Sequence, residues 1–504
     1  MRGFLRRAWH HQSVLRRVPA RALLFLPLVV LAFGRCYVML CYVVVRRFAQ
    51  VSILFFGLRL GLPPAMPSVS KSRPPAHYPN QALGAQVGRP GSGRPRLAQS
   101  LLVATLYAPF LQVFAEKHAD VSDGLMIFDD AASDAASKIT DDGTRPGCFR
   151  IPAAAQTGNG TLIALAEARL SSGCGDNTAR EIMYRRSVDG GQSFGGVAIA
   201  VGNSTYAVGN PTVVAKDNVV ILFYIEHAGE ANTLYVYSKD HGATWSAPVG
   251  IPLLTKQTSS SEKSAMPGPG TGLITSKGRV MFIAHHGPYV VDSVYYSDTL
   301  LAKLQKGDEV SEKTVDWTEA KSDFKGMDEA AVAELSDGRI MANMRHREEP
   351  VKGRGVAVSL PEKDGEPLTF SDLTYRQGLY GPVCQGSLVT GYSPEVMYFA
   401  NPRSHAGRKD TTVQVSYDDG ATFPKQILIE PRGSAGYSCL VPGNLIVGAQ
   451  AGKNVGGILY ESPNSATSSA VFEGKAGAAI AWKSFEVPPK PSVVPSVVTQ
   501  PIFA

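Results

Sequence analysis

An arginine inside an apolar stretch is the first feature of this sequence that could do chemistry. Arg150 lies in "CFRIP", between an aromatic residue and an isoleucine and just before a proline and a run of small apolar residues. A buried cation without a partner is very unfavourable, so Arg150 needs an anion or must stay in contact with water. That anion is either a carboxylate of the protein or a group on a ligand, and Arg150 alone does not distinguish the two.

The cysteines give little evidence of metal chemistry. Apart from two cysteines near the N terminus, the chain contains Cys148, Cys174, Cys384 and Cys439, and none of these forms a C-x-x-C pair. This spacing argues against a zinc site. A disulfide between Cys148 and Cys174 is reasonable for a secretory compartment, but the sequence does not show it.

A repeated pattern indicates how reactive side chains would be positioned. From residue 150 onward, an apolar strand, a tight polar turn and a second strongly apolar strand recur about every 50 to 60 residues. Asn-Gly and Asp-Gly pairs supply the positive φ that two-residue hairpins need. Six such units, each with room for about four strands, predict an all-β, six-bladed β-propeller. The six turns centre near Asn159, Asp217, Lys277, Asp337, Tyr392 and Gly443.

A second repeat has the form Ser-x-Asp-x-Gly-x-Thr/Ser-aromatic. In such a turn the Asp accepts backbone N–H bonds, the Gly adopts the unusual dihedral angles, and the aromatic residue packs underneath. Calcium binding would need more oxygen ligands than this spacing supplies, so we interpret the turns as structural. The three instances are Ser187–Phe194, Ser238–Trp245 and Ser416–Phe423.

Charge is distributed unevenly along the chain. Residues 1–100 contain fifteen Arg and Lys residues and no Asp or Glu, whereas residues 101–504 contain 35 basic and 43 acidic residues. The overall basic pI of about 8.9 therefore comes from the N-terminal segment. No basic stripe with interleaved aromatic residues follows residue 100, which argues against nucleic-acid binding.

The N-terminal segment suggests targeting or membrane insertion. Leu23–Val45 is long enough to cross a bilayer, although Pro27 and Arg35 interrupt it. A signal peptide or signal anchor would place the protein in the secretory pathway, as a membrane-anchored, lysosomal or extracellular protein. An Arg-rich transit peptide for another organelle is the alternative.

Composition divides the chain into five predicted parts. Proline, glycine and serine are frequent between the leader and the folded body, which is typical of a disordered linker, and proline is frequent again at the C terminus. The parts are a leader (1–63), a linker (64–97), an N-terminal extension of the body (98–135), the propeller (136–486) and a disordered tail (487–504).

The three repeated turns resemble the Asp boxes of the sialidase (neuraminidase) superfamily, and "FRIP" resembles the opening motif of that family. The resemblance runs from about Cys148 to Glu461 and is closest to bacterial and lysosomal-type exo-α-sialidases. It implies hydrolysis of terminal sialic acid from glycoconjugates, with retention, through a tyrosyl-enzyme intermediate. It also implies that the enzyme needs no metal or organic cofactor.

The resemblance implies three arginines that bind the carboxylate of sialic acid. A planar guanidinium can hold a carboxylate bidentately. The three positions fall on Arg150, on Arg345 in "GRIMANMRHR" and on Arg408 in "NPRSHAGRKD". Arg347 and Arg403 lie close to these positions and are the alternatives.

Three carboxylic acids and a tyrosine complete the site that the resemblance implies. Glu461 matches the glutamate that orients the first arginine. Tyr437 matches the nucleophile and Glu329 its carboxylate partner, which the phenol needs because its usual pKa is about 10. Asp328 is a weaker candidate for that partner, since alternation along a strand would place it on the opposite face from Glu329. The fourth group, a proton donor, belongs to a separate loop.

That loop reads "EARLSSGCGDNTARE". It makes Asp176 the candidate general acid and Arg169 a candidate substrate-binding residue. A Cys148–Cys174 disulfide would join this loop to the strand of Arg150. Several alternatives stay open: a propeller that binds sialoglycans without cleaving them, a trans-sialidase, an Asp-box hydrolase for another sugar, or a purely structural propeller.

Overall fold

The computed structural model forms two compact units, residues 1–94 and 95–504. In the first unit the structure describes residues 23–32, 35–45 and 51–59. In the second it describes residues 121–490, apart from 141–142, 171–173, 177, 203–205, 228–229, 256, 259–264, 288–290, 348–352, 435, 447–453 and 464–477. The predicted linker and residues 491–504 of the predicted tail lie outside the described residues.

The first unit is a three-stranded antiparallel sheet in the order β1-β2-β3. Its strands are β1 (Leu23–Ala32), β2 (Arg35–Val45) and β3 (Val51–Arg59). The candidate membrane segment Leu23–Val45 thus forms two strands. None of the helices in the described parts of the chain is long and apolar enough to cross a membrane.

The second unit is a β-propeller of six sheets, which confirms the predicted fold. Each predicted turn connects two neighbouring strands of one blade, as Asn159 does between the first two strands of blade 1. The strands of blade 1 are β5 (Cys148–Gln156), β6 (Leu162–Arg169), β7 (Ala179–Ser187) and β8 (Ala198–Gly202). Those of blade 2 are β9 (Ala207–Lys216), β10 (Val219–His227), β11 (Glu230–Ser238), β12 (Val249–Gly250), β13 (Gln257–Thr258) and β15 (Gly270–Thr271).

The remaining blades continue the same antiparallel pattern. Blade 3 contains β14 (Ala265–Pro267), β16 (Leu273–Ile274), β17 (Val280–His286), β18 (Val291–Ser297), β19 (Thr318–Glu319) and β20 (Phe324–Lys325). Blade 4 contains β21 (Met327–Glu334), β22 (Ile340–His346), β23 (Arg354–Val358) and β24 (Thr374–Arg376). Blade 5 contains β25 (Ser387–Thr390), β26 (Met397–Pro402), β27 (Lys409–Ser416) and β28 (Lys425–Ser434).

Blade 6 joins the two ends of the propeller. It contains β29 (Ser438–Val441), β30 (Val455–Pro463), β31 (Ala478–Glu486) and, as its outermost strand, β4 (Leu125–Phe128). Helix α1 (Asp130–Ala136) follows β4 and is capped by the side chain of Asp129, which accepts from the N–H of Ala132 at 3.0 Å. The propeller therefore includes residues of the predicted N-terminal extension (98–135).

Apolar side chains fill the space between neighbouring blades. Successive residues of a strand point to opposite faces of its sheet. Side chains from both neighbouring sheets therefore contribute to the layer between two blades. Between blades 2 and 3, for example, the rings of Phe223 and Phe282 stack with their centroids 4.5 Å apart, and the edge of Trp317 meets both rings. Such layers hold each strand at a defined distance from the propeller axis.

The Asp-box turns connect the outer two strands of blades 1, 2 and 5. In the first turn, the Ser187 hydroxyl donates to Asp189, and Asp189 Oδ1 accepts from the N–H of Ser193 at 3.0 Å. The aromatic residue of that turn, Phe194, packs edge-on against Trp482. In blade 3 no such box is present, and helix α2 (Leu300–Lys306) follows β18 instead. The turns thus have the structural contacts that their sequence predicts.

Candidate active site

Three arginines from three blades come together around one phenol. Arg150 is on β5, Arg345 is on β22, and Arg408 directly precedes β27. The guanidinium carbons of Arg150 and Arg408 lie 5.3 and 5.7 Å from the centroid of the Tyr437 ring. Arg345 donates from Nη1 to the Tyr437 hydroxyl at 3.2 Å. The structure therefore brings together the four side chains on which the predicted site depends.

The backbone around Arg150 is irregular, and this irregularity places the side chain in the group. The pairing of β5 with β6 changes register between Arg150 and Ala153, and Ile151 has a φ of 55°. Positive φ is rare for a β-branched residue and is strained, so surrounding contacts must hold it. Glu461 provides one such contact, because its Oε1 accepts from the N–H of Ile151 at 3.1 Å.

A β-bulge determines the direction of Glu329. The pairing of β21 with β22 changes register between Asp328 and Ala330, so Glu329 is the extra residue of the bulge. We predicted that Asp328 and Glu329 would face opposite sides of the strand, and this is wrong. Asp328 Oδ2 lies 3.4 Å from Arg345 Nε, while Glu329 accepts a hydrogen bond from Arg345 Nη1. The bulge interrupts the alternation and lets both carboxylates reach one guanidinium.

The Tyr437 hydroxyl donates a hydrogen bond to Glu329. Burial raises the pKa of Tyr437 well above its usual range, the negative charge of Glu329 raises it further, and Arg345 opposes this increase. The neutral phenol is therefore the resting form. Its oxygen becomes a good nucleophile only if Glu329 takes the proton as the oxygen reacts.

Glu461 is fully buried and connects two elements of the site. Its carboxylate accepts from Nε and Nη2 of Arg150 at 2.9 and 3.4 Å. Its Oε2 also accepts from the backbone N–H of Tyr437 at 3.0 Å. Glu461 therefore orients the first arginine, as predicted from the resemblance, and also fixes the backbone of the tyrosine.

Asp176 lies on a loop that is attached to the same centre. Cys174 forms a disulfide with Cys148, which is two residues before Arg150 in the sequence. Arg169 Nη1 donates to the carbonyl of Cys174 at 2.9 Å and to Asp176 Oδ1 at 2.8 Å. Asp176 Oδ1 is 3.7 Å from Arg150 Nη1, and its side chain remains 81% exposed. The loop thus presents an exposed carboxyl group at the edge of the arginine group.

Glu167 is a buried residue of the site that the sequence analysis did not select. Its Oε2 accepts from Nε and Nη2 of Arg169 at 2.9 and 2.8 Å, and its Oε1 accepts from the N–H of Asn210 at 2.7 Å. Glu167 therefore orients Arg169 and connects blade 1 to blade 2. The sequence "EAR" could have indicated this contact, because Glu167 and Arg169 are two residues apart and such residues share one face of a strand.

The two alternative arginines have other contacts. Arg347 Nε donates to Asp328 Oδ2 at 2.8 Å. Arg403 Nε donates to Gln414 at 3.0 Å, and its guanidinium carbon lies 4.0 Å from the centroid of the Tyr380 ring. These contacts favour Arg345 and Arg408 as the arginines that face Tyr437. Within the described part of the chain, no three His, Cys, Asp or Glu side chains group closely enough to hold a metal ion.

Comparison with known proteins agrees with the fold of the second unit. Residues 160–444, more than half of the chain, match the family described as BNR repeat-like domain. Over 350 residues the chain is 26% identical to a sialidase of Bacteroides fragilis, a match that covers 62% of this chain and 60% of that protein. A sialidase of Micromonospora viridifaciens is 27% identical over 328 residues, with 58% and 47% covered. The chain belongs to the sialidase superfamily.

A solved structure shows the same fold for a superfamily member. The Hadza microbial sialidase Hz136 superposes with a TM-score of 0.52 at 22% identity, covering 72% of this chain and 68% of that one. The chain spans less than two thirds of the two curated relatives. The family match also begins after Arg150 and ends before Glu461, so these two residues are assigned to the candidate site from the structure and the motif resemblance alone.

Proposed function

We propose that this protein is an exo-α-sialidase that hydrolyses terminal sialic acid from glycoproteins, glycolipids or oligosaccharides with retention of configuration. The observation that carries the proposal is the hydrogen bond from Tyr437 to Glu329 at the centre of three arginines. A structural tyrosine needs one partner for its hydroxyl, but it does not need a carboxylate and three guanidinium groups.

The arginines supply a binding site for a carboxylate. In sialic acid the carboxylate is attached to the anomeric carbon, so holding it fixes the reacting carbon as well. Glu461 and Glu329 accept hydrogen bonds from Arg150 and Arg345, while Arg408 donates from Nη2 to the carbonyl of Val383 at 3.2 Å. Arg408 has no carboxylate partner among the described contacts, so its guanidinium is available to an anionic ligand.

In the first step the Tyr437 oxygen attacks the anomeric carbon and its proton moves to Glu329. A neutral phenol suits this carbon because an anionic nucleophile would be repelled by the adjacent carboxylate. The bond to the leaving oxygen breaks, and that oxygen receives a proton from Asp176. Water then attacks the tyrosyl intermediate with Asp176 as base, and Tyr437 recovers its proton from Glu329. Two displacements at one carbon give retention.

Asp176 must hold a proton before it can act as the acid. In the free protein its carboxyl is exposed and pairs with Arg169. A bound sugar would exclude water from this carboxyl and bring the leaving oxygen close to it, so that a proton can pass directly between the two oxygens. An exposed acid on a tethered loop therefore fits a group that becomes active on binding.

Release of a fluorophore from an α-sialoside by the full chain tests the proposal. We expect turnover by the parent protein, a large loss with Asp176→Ala and with Tyr437→Phe, and an α-configured first product in the NMR spectrum. No turnover by a cooperatively folding parent protein would reject the proposal. If that protein still bound sialic acid, it would instead be a sialoglycan-binding propeller.

We further propose that the folded body resides in an oxidising compartment of the secretory pathway. The Cys148–Cys174 disulfide supports this, because such bonds persist mainly in oxidising surroundings. Asn159, in the sequon Asn-Gly-Thr, is exposed in the first hairpin turn. The N-terminal residue of the mature protein, and a mobility shift with a glycan-removing enzyme, would test this. Free thiols at Cys148 and Cys174 in the isolated native protein would contradict it.

A further inference from the structure

A second group of buried polar side chains adjoins the proposed active site between blades 3 and 4. We define the rear cluster as His285, Asp292, Asp328 and Arg354. Their exposed fractions are 3%, 0%, 0% and 5%. His285 on β17 is directly opposite Asp292 on β18, so their side chains share one face of blade 3. The proposed chemistry uses none of the four residues directly.

Asp328 connects the rear cluster to the reacting groups. Its Oδ1 lies 4.0 Å from His285 Nε2, and its Oδ2 lies 2.8 Å from Arg347 Nε and 3.4 Å from Arg345 Nε. Arg345 in turn donates to the Tyr437 hydroxyl. A change in the position of Asp328 would therefore move the guanidinium that contacts the nucleophile.

Several atoms of this region lack the hydrogen bonds that buried polar groups normally make. Both carboxyl oxygens of Asp292, Oδ1 of Asp328, Nη2 of Arg354 and Nε of Arg345 have no hydrogen-bond partner among the described residues. The other nitrogens of Arg354 are fixed, since Nε donates to Asn343 and Nη1 to the carbonyl of Cys384.

The unsatisfied atoms form a complementary set. Three are acceptor oxygens and two are N–H donors, and native interiors leave few such atoms without a partner. Asp292 is opposite His285 on the neighbouring strand, and His285 Nε2 lies 4.0 Å from Asp328 Oδ1, so the three side chains belong to one buried region. Buried water typically occupies a site where two to four polar groups lack partners, so these atoms are candidates for hydrogen bonds to buried water.

The charges around Asp292 favour a neutral carboxyl group. Burial raises the pKa of Asp292 well above its usual range, the negative charges of Asp328 and Glu329 raise it further, and Arg354 opposes the increase. Protonated Asp292 has an O–H donor that an ionised carboxylate lacks. Asp328 Oδ1 is an acceptor without a hydrogen bond among the described residues, so the two groups are complementary.

His285 adds a second neutral group to the cluster. Burial lowers its pKa; the charges of Asp328 and Glu329 oppose the change, and those of Arg345 and Arg347 support it. A neutral imidazole has one donor and one acceptor nitrogen. His285 and Asp292 can therefore both interact with the Asp328 carboxylate while they leave its charge available to the arginines.

We propose that Asp292 is a positioning residue that acts through buried water. The water connects the Asp292 carboxyl group to Asp328 and Arg354, and His285 closes the site on the side of blade 3. Asp328, held in this way, keeps Arg345 where it reaches both Glu329 and the Tyr437 hydroxyl. The inference rests on the proposed function, since the positioned group is the proposed reacting tyrosine.

Two substitutions of similar size separate hydrogen bonding from charge. Asp292→Asn keeps a donor and an acceptor, so we expect kcat/KM at neutral pH close to that of the parent protein. Asp292→Leu removes both, and we expect kcat/KM to fall on the order of 10²-fold, as small displacements of reacting groups can cause. Thr233→Val, which removes a buried hydroxyl on β11 of blade 2, is the control for loss of stability alone.

The full pH profile of kcat/KM provides a readout that a purely structural role would not change. Above its raised pKa, ionised Asp292 would repel Asp328 and Glu329, so the parent protein should lose activity at alkaline pH and Asp292→Asn should lose less. If Asp292→Asn reduced activity at neutral pH as much as Asp292→Leu, the proposal of a neutral donor would be overturned. Equal profiles for parent and both variants would also overturn it.

A crystal structure keeps this test separate from the test of the proposed function. We expect ordered water within hydrogen-bond distance of Asp292 and Arg354 in the full chain. Density that shows Asp292 surrounded by apolar atoms alone would reject the inference, whatever the activity. A parent protein without turnover, but with this water present, would reject the proposed function and leave the buried site in place.

Discussion

The Tyr437 hydroxyl and the Glu329 carboxylate form a hydrogen bond although they lie 108 positions apart in the chain and in different blades. The same carboxylate accepts from Arg345. One oxygen atom thus has a proton acceptor and a cation within reach. The cation can stabilise the negative charge that develops on the phenol as its proton leaves.

This relationship predicts that Tyr437 and Glu329 act as one unit. Glu329→Gln cannot accept the proton, so kcat should fall by about 10²- to 10⁴-fold, the usual contribution of a general base. Adding Tyr437→Phe to Glu329→Gln should cause little further loss, because the phenol cannot lose its proton once the base is absent. Steady-state kinetics of both single variants and the double variant measure this. Multiplicative losses would show that the two residues act independently.

Glu461 should contribute strongly to stability. Glu461→Gln leaves Arg150 without its buried counter-charge, and breaking a buried ion pair typically costs about 3 to 5 kcal/mol in the free energy of unfolding. Denaturant unfolding of parent and variant measures the difference. Glu334→Gln is the matched control, since Glu334 accepts from Ser276 in an exposed contact. Equal effects of the two substitutions would contradict the assigned role of Glu461.

Gly436 should not tolerate a side chain. A Cβ atom at this position would collide with Oε2 of Glu461 and lie 2.9 Å from its Cδ, and Glu461 is fixed by its bonds to Arg150 and to the Tyr437 backbone. We expect Gly436→Ala to lower the free energy of unfolding by about 1 to 3 kcal/mol and to reduce kcat. Gly378→Ala is the control, because nothing lies within 4 Å of a Cβ atom there. A fully active Gly436→Ala would mean that Glu461 can move freely.

The disulfide should affect catalysis as well as stability. Replacing Cys148 and Cys174 by serine frees the loop that carries Asp176, so kcat should fall more than KM rises, since the acid acts in the chemical step. Loss of the crosslink should also cost about 2 to 4 kcal/mol. A reducing agent should change the parent protein in the same way and leave the variant unchanged. A parent protein that keeps full activity after complete reduction would contradict this.

Asp292 should make stability depend on pH. Its pKa is raised in the folded protein, so folding takes up a proton at any pH between the unfolded and folded pKa values. The stabilising contribution of protonated Asp292 is fully present at pH values below the pKa of Asp292 in the unfolded chain. It is lost as the pH rises toward the pKa of Asp292 in the folded protein. Asp292→Asn removes this dependence, and its Tm relative to the parent should therefore increase from pH 4 to pH 8. A Tm difference that stays constant over that range would show that Asp292 is ionised in the folded state.

The sequence predicted those features that depend on local geometry. The turn near Asp337 predicts a hairpin because Asp-Gly supplies a positive φ, and Gly338 has a φ of 85°. Repetition of such turns at a constant spacing determines the number of blades. The family motifs then selected Arg150, Arg345 and Arg408, which converge because each lies near the same end of its blade.

Features that depend on packing between strands could not be predicted. Nothing in "GMDEAAVAEL" indicates a bulge at Glu329, so alternation gave the wrong face for Asp328. The rear cluster was missed for a similar reason. Asp292 and His285 look like ordinary residues of two strands, and only the packing of blade 3 against blade 4 places them beside Asp328.

The position of β4 in blade 6 has a consequence for how the protein is made. Glu461 lies on β30 of this blade, and Tyr437 directly precedes β29. The outermost strand of the blade is β4, which pairs with β31. β4 leaves the ribosome long before its partner is synthesised, and pairing over such a sequence separation is intrinsically slow. The nascent chain therefore completes its ring only in a late step. Until blade 6 is synthesised, Arg150 lacks its partner Glu461 and Arg345 lacks its contact with Tyr437.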